Sequence, residues 1–162
     1  MIKVGFIGTG LMGFPMAKNL LNSGIKLKAF NRTITKAEPL KEFGAEISDT
    51  LVDVVKDNDF TITMLTDDTA VEAIMSHSDF LENLKPGSTV IDMSSIKPTT
   101  AIKYGNILKS KNIYYLDAPV SGGTIGAEEA SLAIMVGGEQ RVFDNSQSIL
   151  KVMGNPTLVG PI

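Results

Sequence analysis

The 162-residue chain contains no cysteine and a single histidine, His77. Without cysteine there can be no disulfide, no thiolate nucleophile and no zinc–thiolate site. No partner motif surrounds the histidine, so we expect His77 to have a surface role at a helix end rather than a catalytic one. A reducing compartment is compatible with this composition.

Long apolar runs and clusters of positive charge are also missing. No apolar stretch reaches the roughly 18 residues of a membrane span, and the N-terminus leads straight into a strand instead of a signal peptide. Lys and Arg number 15 against 18 Asp and Glu, a formal net charge of -3, with no basic run that would suit nucleic acid. We therefore expect a cytoplasmic protein that binds neither membrane nor nucleic acid.

The chain is instead rich in apolar residues, 43% against 20% charged, and carries a glycine-rich segment near its N-terminus. Apolar residues over 2–7 predict a buried strand, and Gly8, Gly10 and Gly13 follow it with the spacing GxGxxG where a helix should begin. The first glycine permits a tight turn, the second lets backbone approach a pyrophosphate, and the third allows close helix packing. The segment predicts a dinucleotide site, with a purely structural glycine turn as the alternative.

Strands alternate with helices six times between residues 2 and 116, including a helix predicted over 37–43. This alternation predicts an α/β fold, a doubly wound parallel sheet of the Rossmann type in a single domain, residues 1–162. Further on, a helix is predicted over 139–152 between two more strands. Ligands of such a sheet gather at the carboxyl ends of its strands. The loops expected there are 8–13, 31–33, 65–68, 94–95 and 117–123.

The end of the second strand favours NADP over NAD. An NAD site usually offers Asp or Glu to the ribose hydroxyls at this point, whereas this chain has Asn31 followed by Arg32. A guanidinium can bind a 2′-phosphate with two hydrogen bonds, and Thr33 adds a hydroxyl. The alternative is that Arg32 is an ordinary solvated arginine.

A second glycine-rich segment begins after the sixth strand. Gly122 and Gly123 follow Ser121 and leave backbone N–H groups uncovered, which suits a carboxylate or a developing oxyanion. A tight turn explains the two glycines equally well from the residues alone. For Asp92 and Asp117, each at a strand end, we expect structural hydrogen bonds near the cofactor rather than acid–base work.

Several of these segments together resemble the β-hydroxyacid dehydrogenase family, which includes 3-hydroxyisobutyrate dehydrogenases, tartronate semialdehyde reductases and glyoxylate or succinic semialdehyde reductases. The matching segments are VGFIGTGLMGFPMAKNL, FNRT, MLTDD, DMSS and DAPVSGGTIGAEEASLAIMVGG. The resemblance covers nearly the whole chain. It implies an N-terminal Rossmann domain that binds a nicotinamide cofactor, a small carboxylate-bearing aldehyde or hydroxyacid substrate, and a homo-oligomeric parent enzyme.

The resemblance also assigns residues, position by position. The pyrophosphate is expected on the first glycine loop, the 2′-phosphate after the second strand, the adenosine and ribose after the fourth, and the nicotinamide ribose after the fifth. Thr9 and Ala130 depart modestly from the family pattern. The expected cofactor residues are Gly8, Thr9, Gly10, Leu11, Met12, Gly13, Asn31, Arg32, Thr33, Met64, Leu65 and Ser95, and the expected substrate residues are Ser121, Gly122 and Gly123.

The family's catalytic Lys has no counterpart in this chain. The resemblance implies that it lies about two helical turns beyond Ile162, in an all-helical domain that is absent here, so we expect a truncated, inactive chain that still binds NADP. No metal site is expected. Two alternatives are a fragment of an enzyme like 6-phosphogluconate dehydrogenase, and a non-catalytic dinucleotide-binding or assembly module.

Overall fold

The computed structural model describes all residues from Met1 to Ile162, and one nine-stranded sheet organises them. Its strands are β1 (Lys3–Ile7), β2 (Lys26–Phe30), β3 (Glu46–Ile47), β4 (Phe60–Thr63), β5 (Thr89–Asp92), β6 (Tyr114–Asp117), β7 (Val120–Ser121), β8 (Leu132–Gly137) and β9 (Gly154–Gly160). The α-helices are α1 (Gly13–Asn22), α2 (Leu51–Val55), α3 (Asp68–Met75), α4 (Ser78–Leu81), α5 (Pro98–Ser110), α6 (Gly123–Glu129), α7 (Gln140–Asn145) and α8 (Gln147–Met153).

The first six strands lie in the order β3-β2-β1-β4-β5-β6 and are all parallel. Their carboxyl ends therefore lie along one edge of the sheet. The order reverses between β1 and β4, the position at which ligands of open α/β sheets bind. This arrangement confirms the predicted doubly wound Rossmann sheet.

Apolar side chains on the two faces of the sheet enter two separate cores. Phe6 faces a core formed with α1, α6, α7 and α8, whereas the next residue, Ile7, faces a core formed with α2 to α5. Successive residues of a strand point to opposite faces. The inner strands β1, β4 and β5 are consequently buried on both sides, whereas β2, toward the edge of the sheet, alternates Lys26 and Lys28 with buried residues.

The sheet is not parallel throughout, contrary to the simplest reading of the sequence. β8 runs antiparallel to β6 and to the short strand β7, and β9 then pairs parallel with β8. The connection from β6 carries β7 and α6 but does not cross over the sheet in the way a parallel return requires. Val120 pairs with Ile134 and Ser121 with Ala133, so the Ser121 segment is itself a sheet strand.

Two predicted helices differ from the observed ones. The helix predicted over 37–43 is a 3-10 helix, Glu38–Phe43, which follows another 3-10 turn, Ile34–Lys36; Pro39 lies in its first turn and Gly44 ends it in the left-handed region. The helix predicted over 139–152 is divided into α7 and α8 at Ser146, whose buried hydroxyl donates to the Val142 carbonyl at 2.8 Å. None of the helices has the length and apolar character that a membrane crossing requires.

Candidate functional site

The three glycines of the first loop have three different surroundings. A Cβ on Gly13 would lie 1.8 Å from the Gly8 carbonyl oxygen, and a Cβ on Gly8 would lie 2.1 Å from the Met64 carbonyl oxygen. Gly8 also has φ +103, a conformation that side chains disfavour. A Cβ on Gly10 would meet nothing within 4 Å. Gly8 and Gly13 therefore serve close packing, whereas Gly10 faces open space where a ligand can approach.

The start of α1 presents unpaired backbone donors. Four consecutive N–H groups donate to no acceptor in the chain: those of Gly10, Leu11, Met12 and Gly13. The next N–H group, that of Phe14, donates to the Gly10 carbonyl oxygen at 3.0 Å. No acidic side chain lies in the first turn of this ten-residue helix. The positive end of the helix dipole adds to the attraction for an anion. These donors fit the pyrophosphate of a dinucleotide.

Gly8 and Thr9 use their N–H groups inside the protein instead. Gly8 N donates to Phe30 O at 2.9 Å, and Thr9 N donates to Asn31 Oδ1 at 2.9 Å. The buried Thr9 hydroxyl donates to Lys36 O at 2.9 Å. Asn31 also donates through Nδ2 to Thr33 O at 2.9 Å. The Asn31 amide thus ties the glycine loop to the loop after β2.

Arg32 and Thr33 lie at the tip of that second loop. Both side chains are exposed, and Arg32 takes part in none of the three ion pairs of the chain. No carboxylate side chain forms a hydrogen bond with it. The guanidinium is therefore free to bind an anion at the carboxyl end of β2, beside the glycine loop.

The ends of β4 and β5 are joined by a buried carboxylate. Asp92 Oδ1 accepts from Thr63 Oγ1 at 2.9 Å and from Ser94 N at 3.1 Å, and Ser94 Oγ accepts from Leu65 N at 2.8 Å. Burial raises the pKa of Asp92. The structural hydrogen bonds expected of Asp92 are thereby confirmed, and they position the half-buried Leu65 and the exposed Ser95, which follows Ser94 directly. The same expectation for Asp117 is wrong, because its buried Oδ1 has no hydrogen-bond partner.

The second glycine segment lies farther along the same edge. Ser121, Gly122 and Gly123 are exposed, and the Ser121 hydroxyl forms no hydrogen bond within the chain. Gly122 (φ +140) and Gly123 (φ +63) both need the freedom of glycine, and α6 begins at once. Asn19 Nδ2 of α1 donates to Ala127 O of α6 at 2.8 Å, which links this segment to the helix that follows the first glycine loop.

Asp67 and His77 both cap helices, which agrees with the position at a helix end that the sequence predicts for His77. Asp67 caps α3 by accepting from Ala70 N at 2.9 Å, and His77 caps α4 by accepting from Asp79 N at 3.1 Å. No group of three or more His, Cys, Asp or Glu is arranged to hold a metal ion. The acceptor role of Asn31 and the link from Thr63 to Asp92 were not predicted, because both depend on which residues the sheet register brings together.

Comparisons with known proteins agree with this geometry. Residues 3–160 match the family described as the NAD binding domain of 6-phosphogluconate dehydrogenase. The chain is 40% identical over 154 residues to the 2-(hydroxymethyl)glutarate dehydrogenase of Eubacterium barkeri, an alignment that covers 94% of this chain and 51% of that protein. It is 36% identical over 155 residues to the NAD-dependent L-serine dehydrogenase of Pseudomonas aeruginosa, covering 95% of this chain and 52% of that protein.

A solved structure extends the similarity to the backbone. The 3-hydroxyisobutyrate dehydrogenase of Mycobacterium tuberculosis, determined with L-serine, superposes with a TM-score of 0.94 at 32% identity, covering 99% of this chain and 55% of that one. The chain spans about half the length of the curated relatives it matches.

The contrast between Gly13 and Gly10 can be tested with two alanine variants. In Gly13→Ala the new methyl collides with the Gly8 carbonyl, so we expect a loss of about 3 kcal/mol in the free energy of unfolding. Gly10→Ala has open space and should retain wild-type stability. Urea unfolding of both variants measures the difference, and equal stabilities would contradict the packing role of Gly13.

The tie through Asn31 predicts a second stability effect. Asn31→Ala leaves the N–H of Thr9 without its acceptor, which should cost about 1–3 kcal/mol in the free energy of unfolding. Asn31→Asp keeps an acceptor for that N–H and loses only the donor to Thr33, so it should be the milder change. Thermal unfolding of the two variants provides the comparison. An alanine variant as stable as the aspartate variant would show that the tie contributes nothing.

Proposed function

The chain belongs to the β-hydroxyacid dehydrogenase family as an NAD-binding domain, and on that premise we propose that it is the NADP-binding half of a 3-hydroxyacid dehydrogenase or semialdehyde reductase. Its relatives are oxidoreductases that act on hydroxyacids. The parent enzyme would interconvert a small hydroxyacid and the corresponding aldehyde or ketone. The proton donor of that reaction, the family Lys, would lie outside these 162 residues.

The unpaired donors at the start of α1 carry the proposal. Four consecutive N–H groups, from Gly10 to Gly13, lack acceptors in the chain and point to a ligand that supplies oxygen atoms. The open space over Gly10 admits such a ligand at backbone distance. Gly8 and Thr9 would contribute by shaping the turn, because their own N–H groups are already bonded.

The preference for NADP rests on Arg32. Its exposed, unpaired guanidinium, with Thr33 beside it, supplies charge and donors for a 2′-phosphate, and Asn31 offers the ribose no carboxylate. Asn31 would act on the cofactor chiefly by positioning this loop. NAD is the alternative, since the name of the L-serine dehydrogenase from Pseudomonas aeruginosa records dependence on NAD.

The nicotinamide end of the cofactor, where the reaction occurs, would lie between the loops after β5 and β6. NADPH, when bound, supplies a hydride to a carbonyl carbon. Met64 and Leu65 would flank the adenosine and its ribose, and Ser95 the nicotinamide ribose. The unbonded hydroxyl of Ser121 and the N–H groups of Gly122 and Gly123 would hold the substrate carboxylate and orient the carbonyl.

A sugar-phosphate substrate is the second candidate, because the matching family is described by 6-phosphogluconate dehydrogenase. That enzyme class needs cations to bind the substrate phosphate. The exposed segment from Ser121 to Gly123 contains none, which favours a small unphosphorylated carboxylate.

Replacement of Arg32 tests the choice of cofactor. Arg32→Asp removes the guanidinium and adds a repelling charge, so the dissociation constant for NADPH should rise about 10–100-fold while that for NADH changes little. The chain has one other arginine, Arg141, which donates to Tyr114 at the opposite end of β6. Arg141→Asp makes the same change of charge there, so it is the matched control and should leave both constants unchanged. Equal weakening of NADPH and NADH in Arg32→Asp would remove the basis for an NADP preference.

The position of the proton donor predicts how the chain behaves as a catalyst. We expect saturable binding of NADPH, followed by fluorescence, but reduction of glyoxylate or succinic semialdehyde far below the about 1–10³ s⁻¹ of typical enzymes. Rapid turnover by the purified 162-residue chain would show that it contains its own proton donor. Absence of saturable NADPH binding would refute the proposed function altogether.

A further inference from the structure

Two aspartates face each other across the ends of β5 and β6. Asp92 and Asp117 are the last residues of their strands and are register partners in the parallel pair. Partners in adjacent parallel strands project from the same face at a strand spacing of about 4.8 Å. Asp92 is completely buried and Asp117 is half-buried, so two carboxyl groups share a poorly solvated place beneath the candidate site.

No cation compensates the two groups. All three ion pairs of the chain lie elsewhere and involve exposed side chains. The buried titratable side chains on this face of the sheet are phenolic, Tyr115 on β6 and Tyr104 on α5, and Asp68 at the start of α3 adds a further acidic group. The lysines of α5 and its caps are exposed, as is Arg141 of α7, which donates to Tyr114 at the other end of β6, and the polar side chains of β4 are threonines. Two adjacent negative charges here would therefore repel each other without relief.

The hydrogen bonds indicate where a proton would reside. Asp92 Oδ1 accepts from Thr63 and Ser94, which favours the charged form of Asp92. Asp92 Oδ2 and Asp117 Oδ1 are buried and have no partner, and the Tyr115 hydroxyl is also unpartnered. Two ionised carboxylates could only accept hydrogen bonds, whereas a protonated Asp117 can donate one to Asp92.

We propose that Asp92 and Asp117 form a positioning pair that shares one proton and holds the ends of β5 and β6 together. The pair lies three residues before Ser95 and four before Ser121. Its proton therefore sets the separation of the segments that would flank the nicotinamide and the substrate carboxylate. This functional consequence rests on the proposed function, whereas the proton itself does not.

The pKa values agree in direction. Burial, and after it the charge of the neighbouring Asp92, together raise the pKa of Asp117 from 3.8 to about 6. A carboxyl whose pKa is raised by folding contributes its full stability below the unfolded value of 3.8 and loses it as the pH rises through about 6. Ionisation of Asp117 should thus weaken the strand ends toward neutral and alkaline pH.

The test compares thermal unfolding of Asp117→Asn with wild type between about pH 4.5 and pH 7.5. The amide mimics the protonated carboxyl, so the melting temperature of D117N relative to wild type should increase by several degrees as the pH rises. D92N, whose amide oxygen can still accept from Thr63 and Ser94, should behave similarly. D49N is the matched control, because Asp49 is exposed and forms no side-chain hydrogen bond; its difference from wild type should not vary with pH. If the difference in melting temperature between D117N and wild type is equally independent of pH, the proposed proton-sharing pair is contradicted.

A carboxyl ¹³C NMR titration of the wild-type chain measures the pKa values of its aspartates directly, so its main result does not require a variant to fold. One aspartate resonance should titrate near pH 6, outside the ordinary range of about 3.5 ± 1.2, and should be absent from D117N. If every aspartate of the wild type titrates in the ordinary range, the shared proton does not exist.

NADPH titrations separate the pair from the proposed function. Wild type should lose affinity relative to D117N by several-fold as the pH rises, and comparison at each pH cancels the titration of the cofactor's own phosphate. If the NADPH affinities of wild type and D117N change in parallel with pH, the pair does not position the cofactor-binding segments. Absence of NADPH binding in both proteins, with the unfolding result intact, would refute the proposed function and leave the proton-sharing pair standing.

Discussion

The candidate site depends on one close backbone contact, between Gly13 at the start of α1 and the carbonyl of Gly8 at the end of β1. Any side chain at Gly13 would lie within 1.8 Å of that oxygen. Because the two backbones touch, α1 begins directly above the carboxyl edge of the sheet. The four unpaired N–H groups from Gly10 to Gly13, in the turn that leads into α1 and at its first residue, therefore lie at that edge.

Side-chain hydrogen bonds position the other loops of this sheet edge relative to the first glycine loop. Asn31 joins the first loop to the loop after β2, Asp92 joins the ends of β4 and β5, and Asn19 joins α1 to the helix that follows the Ser121 segment. Each tie occupies donors or acceptors that a ligand cannot then use. The groups left free are the N–H groups from Gly10 to Gly13, the Arg32 guanidinium and the Ser121 hydroxyl, and they define what the edge can bind.

Local sequence was sufficient for the features that depend on periodicity and turn chemistry. The alternation of strands and helices predicted the doubly wound sheet, and the spacing of Gly8, Gly10 and Gly13 predicted the loop. It was insufficient where partners are distant along the chain. The antiparallel return through β8, the acceptor role of Asn31 for Thr9 and the facing of Asp92 by Asp117 all follow from sheet register. The break at Ser146 depends on a side chain that competes with the helix backbone, which periodicity does not reveal.

Amide chemical shifts offer the most direct test that this edge binds NADP. Addition of NADPH to the ¹⁵N-labelled chain should perturb the amides of Gly10, Leu11, Met12 and Gly13 most strongly. The difference between the NADPH and NADH spectra should be confined to Arg32 and Thr33, where the 2′-phosphate would bind. Perturbations centred away from the start of α1, or identical spectra with the two cofactors around Arg32, would contradict the account.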